Sequence, residues 1–202
     1  VEVMQAYLER IHRYNPLYNA IVSLVDDSEL LRQAESADKA LLKGEYWGWM
    51  HGMPHAIKDL ADAQGLVSTY GSPIFAKNVA MADSLPVARI RAQGAIFIGK
   101  TNTPEFGAGS QTYNSVFGAT RNAYNPHLTA GGSSGGAAVG LAAGLLPTAD
   151  GSDMMGSLRN PAGFNNVIGF RPSQGRAPNP SNETSLFYDQ LATDGPMGRN
   201  TE

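Results

Sequence analysis

Apolar residues recur along this chain with two different periods. Met4, Tyr7, Leu8 and Ile11 fall three or four apart, which predicts a helix over Glu2 to Tyr14 that Asn15-Pro16 ends. Ala20, Ile21, Val22 and Leu24 crowd into Asn19 to Val25, a short strand. Asp26-Asp27-Ser28 then gives an acidic start to a second helix running to about Leu42. Gly52-Met53-Pro54 breaks the chain ahead of a short strand, His55 to Lys58. Ser84 to Gln93 reads as a helix and Ala95 to Ile98 as a buried strand. Further on, a helix over Ala137 to Gly144 leads into a strand over Leu145 to Ala149. Such alternation argues for an α/β sheet rather than separate all-α and all-β parts.

Glycine changes the picture after Thr101. From Gly131 to Ser157, 8 of 27 residues are glycine, against 23 of 202 in the whole chain. Glycine loses the most conformational entropy on folding, so this density marks backbone that tolerates nothing larger. Val139, Leu141, Leu145 and Leu146 punctuate the stretch, so it is no flexible linker.

Composition narrows the chemistry. Apolar residues make up 42% of the chain and charged ones 16%, as in an ordinary globular protein with one sizeable core. A net charge of −3 offers no basic stripe for nucleic acid. No apolar run approaches the roughly 20 residues that span a bilayer, and the N-terminus shows no secretory signal pattern. A cytoplasmic setting is therefore expected. Cysteine is absent, which excludes disulfides, Cys-rich metal sites and a thiolate nucleophile. Covalent catalysis here would run through a hydroxyl, an amine or a carboxylate.

Three motif matches mislead. Gly94 to Thr101 (GAIFIGKT) satisfies the P-loop pattern, but Ala95, Ile96, Phe97 and Ile98 are strand formers where a phosphate cradle needs a loop. Gly131 to Gly135 (GGSSG) satisfies the nucleophile elbow, yet a loop, Asn125 to Thr129, stands where that elbow needs a strand. All four histidines also precede Ser133, against the elbow's triad order. His51 and His55 are four apart, but Gly52 and Pro54 between them argue against a helix, and no third metal ligand is evident.

What remains is a pair of serine-bearing, glycine-rich loops, Gly131 to Gly136 and Gly151 to Arg159, flanking one helix–strand unit. Such a unit returns the chain to the same end of a sheet, so the two loops are expected to face each other. Upstream, Lys58 ends a short apolar strand. A buried lysine loses its charge readily, because desolvation lowers its pKa by up to ~3–5 units.

These stretches closely resemble the amidase signature family: HGMPHAIKD at 51–59, GKTNTPEFG at 99–107, GGSSGG at 131–136, GSDMMGSLRNPA at 151–162 and GFRPSQGR at 169–176. Lys58 lies 75 residues before Ser133, and Ser157 lies 24 after it, spacings that the family shares. The resemblance implies an α/β amidase-signature fold, a mixed twisted sheet covered by helices on both faces. It implies Ser157 as acylated nucleophile, Ser133 as bridging serine after a cis peptide bond, and Lys58 as base. Backbone N–H groups of Met154, Met155, Gly156 and Ser157 would face the oxyanion. Asp153 and Arg159 would hold the nucleophile loop, and Asn102 and Arg121 would be structural; Lys100, which follows a strand, reads as a solvated turn lysine rather than a second base.

The implied activity is hydrolysis of a small carboxamide with no cofactor and no metal, with esterase activity alongside. Neither nucleic acid nor membrane is an expected partner, and a homodimer is admitted. Alternatives are the glutaminase subunit of a transfer-RNA amidotransferase, or an inactive scaffold fragment. Position 155 is Met where many family members carry Gly; its side chain would narrow the acyl pocket or pack into the core. Family members usually exceed twice this length. Residues 1–202 are therefore expected to be one domain, cut short at its C-terminal end and by a few residues at its N-terminus.

Overall fold

A computed structural model describes residues 1–177 and 191–201. Helix α1 (Glu2–Tyr18) buries Met4, Leu8 and Ile11, the face that the sequence spacing marks. It runs past Pro16, beyond the predicted end. Proline removes only one backbone donor so close to a terminus, and the Asn15 side chain closes the helix instead. Asn15 Oδ1 accepts the N–H groups of Ala20 and Ile21 at 3.0 and 2.9 Å. Asn19 then turns left-handed.

Strand β1 is accordingly short (Ile21–Val22), because Ser23 takes a positive φ directly after it. Helix α2 (Asp27–Leu42) starts where expected, with Asp26 accepting Ser28 N–H as its N-cap. Strand β2 (Pro54–Lys58) is buried throughout. Helix α3 (Leu85–Ala92) follows Ser84. Strand β3 (Ile96–Thr101) is longer than predicted and wholly buried, Lys100 included. That burial removes any phosphate cradle from the GAIFIGKT stretch.

The strands β1, β3 and β2 form one sheet in that order, β1 antiparallel and β2 parallel to β3. Alternate residues serve opposite faces. Ile96 and Ile98 join Leu8, Leu30, Val139 and Leu141 in the larger core. Phe97 and Ile57 join Val87 of α3 in a smaller one. The mixed sheet is thus covered by helices on both faces, as the fold class anticipates.

After a two-stranded turn, β4 (Tyr113–Asn114) and β5 (Gly118–Ala119), helix α4 (Gly135–Ala142) is buried from Gly135 to Leu141. Its second glycine has a steric cause. A Cβ at Gly136 would stand 2.3 Å from Asn102 N and 2.5 Å from Ala20 O. Here the sequence expectation slips by one element. Leu145 and Leu146 give their N–H groups to Gly140 O, finishing the helix, and are fully buried without forming a ladder. The strand is β6 (Ala149–Asp153) instead. It pairs antiparallel with β8 (Thr193–Gly198), which pairs with β7 (Ile168–Gly169) beyond helix α5 (Arg159–Asn165).

Candidate active site

The C-terminal ends of β2 and β6 and the start of α4 converge on Lys58. Its side chain is 2% exposed, and its Nζ lies 2.7 Å from Ser133 Oγ, 2.8 Å from Ser134 Oγ and 2.9 Å from Ser152 Oγ. Among the described residues no carboxylate comes within ion-pairing distance of it. Burial therefore pushes the lysine down from 10.5 to about 7, with Asp150, Asp194 and Asp153 pulling the other way. At neutral pH a large share of the amine is uncharged and able to accept a proton.

The hydroxyl network narrows who can donate. An ammonium has three protons for three hydroxyls, whereas a neutral amine has two and must accept one bond. The Ser134 hydroxyl is committed to Ser152 O at 3.3 Å. Neither Ser133 Oγ nor Ser152 Oγ has another acceptor among the described residues, so the proton of either is available to Lys58. Ser133 follows a cis Gly132–Ser133 bond.

Ser157 sits across from this cluster on the loop after β6. The two loops touch: Ser134 N–H donates to Ser157 O at 3.2 Å. Among the described residues the Ser157 hydroxyl makes no hydrogen bond, to Ser133 or to any other group. The structure thus brings Lys58 and Ser133 into contact and sets Ser157 on the adjoining loop, partly open to solvent.

Asp153 organises that loop. Its carboxylate is fully buried and accepts Gly156 N–H at 2.7 Å and Leu158 N–H at 3.1 Å. Arg159 grips it with two bonds, at 2.9 and 3.1 Å, and Arg171 adds one at 2.9 Å. Burial alone would raise its pKa, but these donors together hold it well below the usual carboxylate range. This geometry corrects one sequence expectation. Gly156 N–H is spent on Asp153, so it does not face an oxyanion. The N–H groups of Met154, Met155 and Ser157 have no acceptor among the described residues. Met155 is 86% exposed, so its side chain does not pack into the core.

Lys100 is the second correction. It is no solvated turn residue: it is completely buried, its Nζ 3.0 Å from Ser68 Oγ and 3.7 Å from Asp59. Burial shifts both members of that pair toward their neutral forms. Asn102 is also buried and bonds Thr120 and Asn114, while the Arg121 backbone bridges to Thr129. Among the described residues no three His, Asp or Glu side chains gather as a metal site, and no helix is long and apolar enough to cross a membrane.

Sequence reading missed Ser152, Asp150 and Asp194, and weighed His55 only as a metal ligand. Asp150 Oδ1 lies 3.2 Å from His55 Nε2, and both its oxygens lie 3.2 Å from Lys58 N. Asp194 of β8 is pushed up to about 6, by burial first and then by Asp150. A cavity of about 330 Å³ opens here, lined by Lys58, Asp62, Ile90, Asp150, Ser152 and Asp194.

Known proteins are similar over nearly the whole chain. It is 40% identical to an indoleacetamide hydrolase of Bradyrhizobium diazoefficiens, over 98% of its own length and 38% of that protein. It is 41% identical to a glutamyl-tRNA(Gln) amidotransferase subunit of Alkaliphilus metalliredigens, over 86% of its length and 35% of that protein. It therefore spans about two fifths of the length of the curated relatives it matches. The solved structure of a bacterial aryl acylamidase superposes with a TM-score of 0.91 at 34% identity, covering 98% of this chain and 41% of that one. The Amidase family model matches residues 2–202, and the chain belongs to the amidase family.

Proposed function

We propose that this chain carries the catalytic machinery of a carboxamide hydrolase that works through a serine acyl-enzyme. The observation that carries the reading is the 2.7 Å bond between Ser133 and a buried lysine poised near pH 7. A serine hydroxyl is a weak nucleophile until a base takes its proton. In the proposed reaction Ser157 Oγ attacks the amide carbonyl and passes its proton to Ser133, which passes its own to Lys58. Amides of Met154, Met155 and Ser157 stabilise the oxyanion; one such donor is worth ~3–4 kcal/mol in comparable sites. Collapse breaks the C–N bond, and Lys58 returns the proton through Ser133 to the leaving amine. Water then enters the vacated position and releases the acid by the same relay.

Every step uses groups of the chain itself, so no cofactor or metal is invoked. The substrate class is a small-molecule amide, with neither nucleic acid nor membrane in the reaction. The domain extends over residues 1–202 as the N-terminal, catalytic part of the fold that the longer relatives carry.

Similarity to the amidotransferase relative favours a second reading, in which the amide is glutamine and the ammonia passes to a partner. Hydrolysis that rises only when partner proteins and transfer RNA are added would select it. The shared chemistry is tested by treating the protein with a fluorophosphonate and mapping the adduct by peptide mass spectrometry. Modification of Ser157, lost in Ser157→Ala, is expected. An adduct on Ser133 or Ser134 instead would overturn the assignment.

A further inference from the structure

Strand β2 ends in Lys58, and β6 leads into the Ser157 loop, but the two strands belong to different ladders. What joins them at the site is a side chain. Asp59 N–H turns back to Thr101 O in β3, while Lys58 N–H lies within 3.2 Å of both Asp150 oxygens. Asp150 is itself held. His55 Nε2 stands 3.2 Å from Asp150 Oδ1, and Thr148 Oγ1 stands 3.4 Å from His55 Nδ1. One tautomer satisfies both contacts: the threonine hydroxyl donates to Nδ1, and Nε2–H donates to Asp150. The ring is only 3% exposed and packs beside Phe97, so it has little freedom to leave.

We infer that Asp150, clasped by His55, is a positioning residue for Lys58. It ties the strand ending in the base to the strand entering the nucleophile loop, and it sets a negative charge beside that base. The inference rests on the proposed role of Lys58. The charges bearing on Lys58 come from several elements. Asp150 and Asp153 stand on β6 and Asp194 on β8. Lys100 of β3, paired with Asp59, also feels the charge of Asp150, and Asp62 lines the same cavity. Arg89 of α3 lines a neighbouring groove with His55, Asp150 and Asp194. Of these charged groups among the described residues, only Asp150 touches the backbone of the base, and it is the carboxylate that weighs most on the lysine.

The effect has a definite sign. A negative charge favours the ammonium, so removing it makes Lys58 lose its proton at lower pH. The test is a titration of Lys58 in the protein labelled with ¹³C-lysine, its ε-carbon signal assigned by its loss in Lys58→Ala. Asp150→Asn is expected to lower the midpoint by ~1 pH unit, the lower end of what one opposite charge does at short range. Asp150→Glu, which restores the charge, is expected to bring it back toward the parent. Fluorophosphonate labelling of Ser157 should show its pH limb moving the same way, with a reduced plateau. A merely structural Asp150 would slow labelling equally at every pH and leave the titration in place, and that result overturns the inference. Should Asp150→Asn fail to fold, Asp194→Asn removes a neighbouring charge and must shift the midpoint in the same direction. If instead the titration moves but the labelling limb does not follow it, the charge effect stands and Lys58 is not the base.

Discussion

Replacing Asp153 by alanine strikes the loop that presents Ser157. The change strips the acceptor from Gly156 N–H and from Leu158 N–H, both belonging to buried residues. An orphaned buried donor costs ~1–3 kcal/mol. Arg159 and Arg171 also lose their partner, but their side chains are 55% and 27% exposed. Water reaches both, so the two stranded amides dominate the loss. It should therefore be about 2–6 kcal/mol, the cost of two orphaned buried donors. Asp153→Asn keeps one acceptor oxygen and should lose about half as much. Urea unfolding of parent and variants reads the stability, and fluorophosphonate labelling of Ser157 reads the loop. The native carboxylate has a depressed pKa, so its contribution is present above the ordinary value of 3.8 and lost as pH falls below it. Asp153→Ala should accordingly flatten the acid side of the stability curve. A loss below ~0.5 kcal/mol, typical of an inconsequential surface change, with labelling unaltered, would refute the reasoning.

Other substitutions separate the roles at the site. Ser133→Ala should slow acylation of Ser157 by ~10²–10⁴-fold, the usual worth of positioned acid–base help, with a stability loss of only ~1 kcal/mol for the missing hydrogen bond. Ser134→Ala removes one of three bonds to Lys58 and should cost only ~1 kcal/mol, or about fivefold in the same labelling rate. Gly136→Ala drives a methyl group against the backbone of Asn102 and Ala20; a stability loss of at least ~1–3 kcal/mol is expected in urea unfolding.

Much of this architecture is legible in residue order because it rests on local rules. The cap at Asp26, the apolar spacing of α1 and the strand formers after Gly94 each act within a few residues. The errors lie where distant contacts decide. Pro16 does not end α1, since Asn15 reaches forward to the amides of Ala20 and Ile21. Leu145 and Leu146 look like a strand but finish a helix, because the ladder with β8 begins only at Ala149. Lys100 reads as solvated, yet Asp59 and Ser68 meet it inside the protein. The Lys58–Ser133 pairing is accessible through the family resemblance. The His55–Asp150 clasp joins residues 95 apart, and no periodicity or spacing rule marks such a pair. Even the oxyanion loop hides a choice: sequence presents four equivalent amides, and only the fold shows Asp153 claiming that of Gly156.

The central claim is that an uncharged Lys58 draws the nucleophile's proton by way of Ser133. Its most direct test is the rate of Ser157 acylation against pH in the parent protein and in Lys58→Ala. The parent rate should climb through a midpoint near the lysine's value of about 7 and then level off, and the variant should be slow with no such rise. A Lys58→Ala protein that keeps the same rise, at the same pH, would contradict the account.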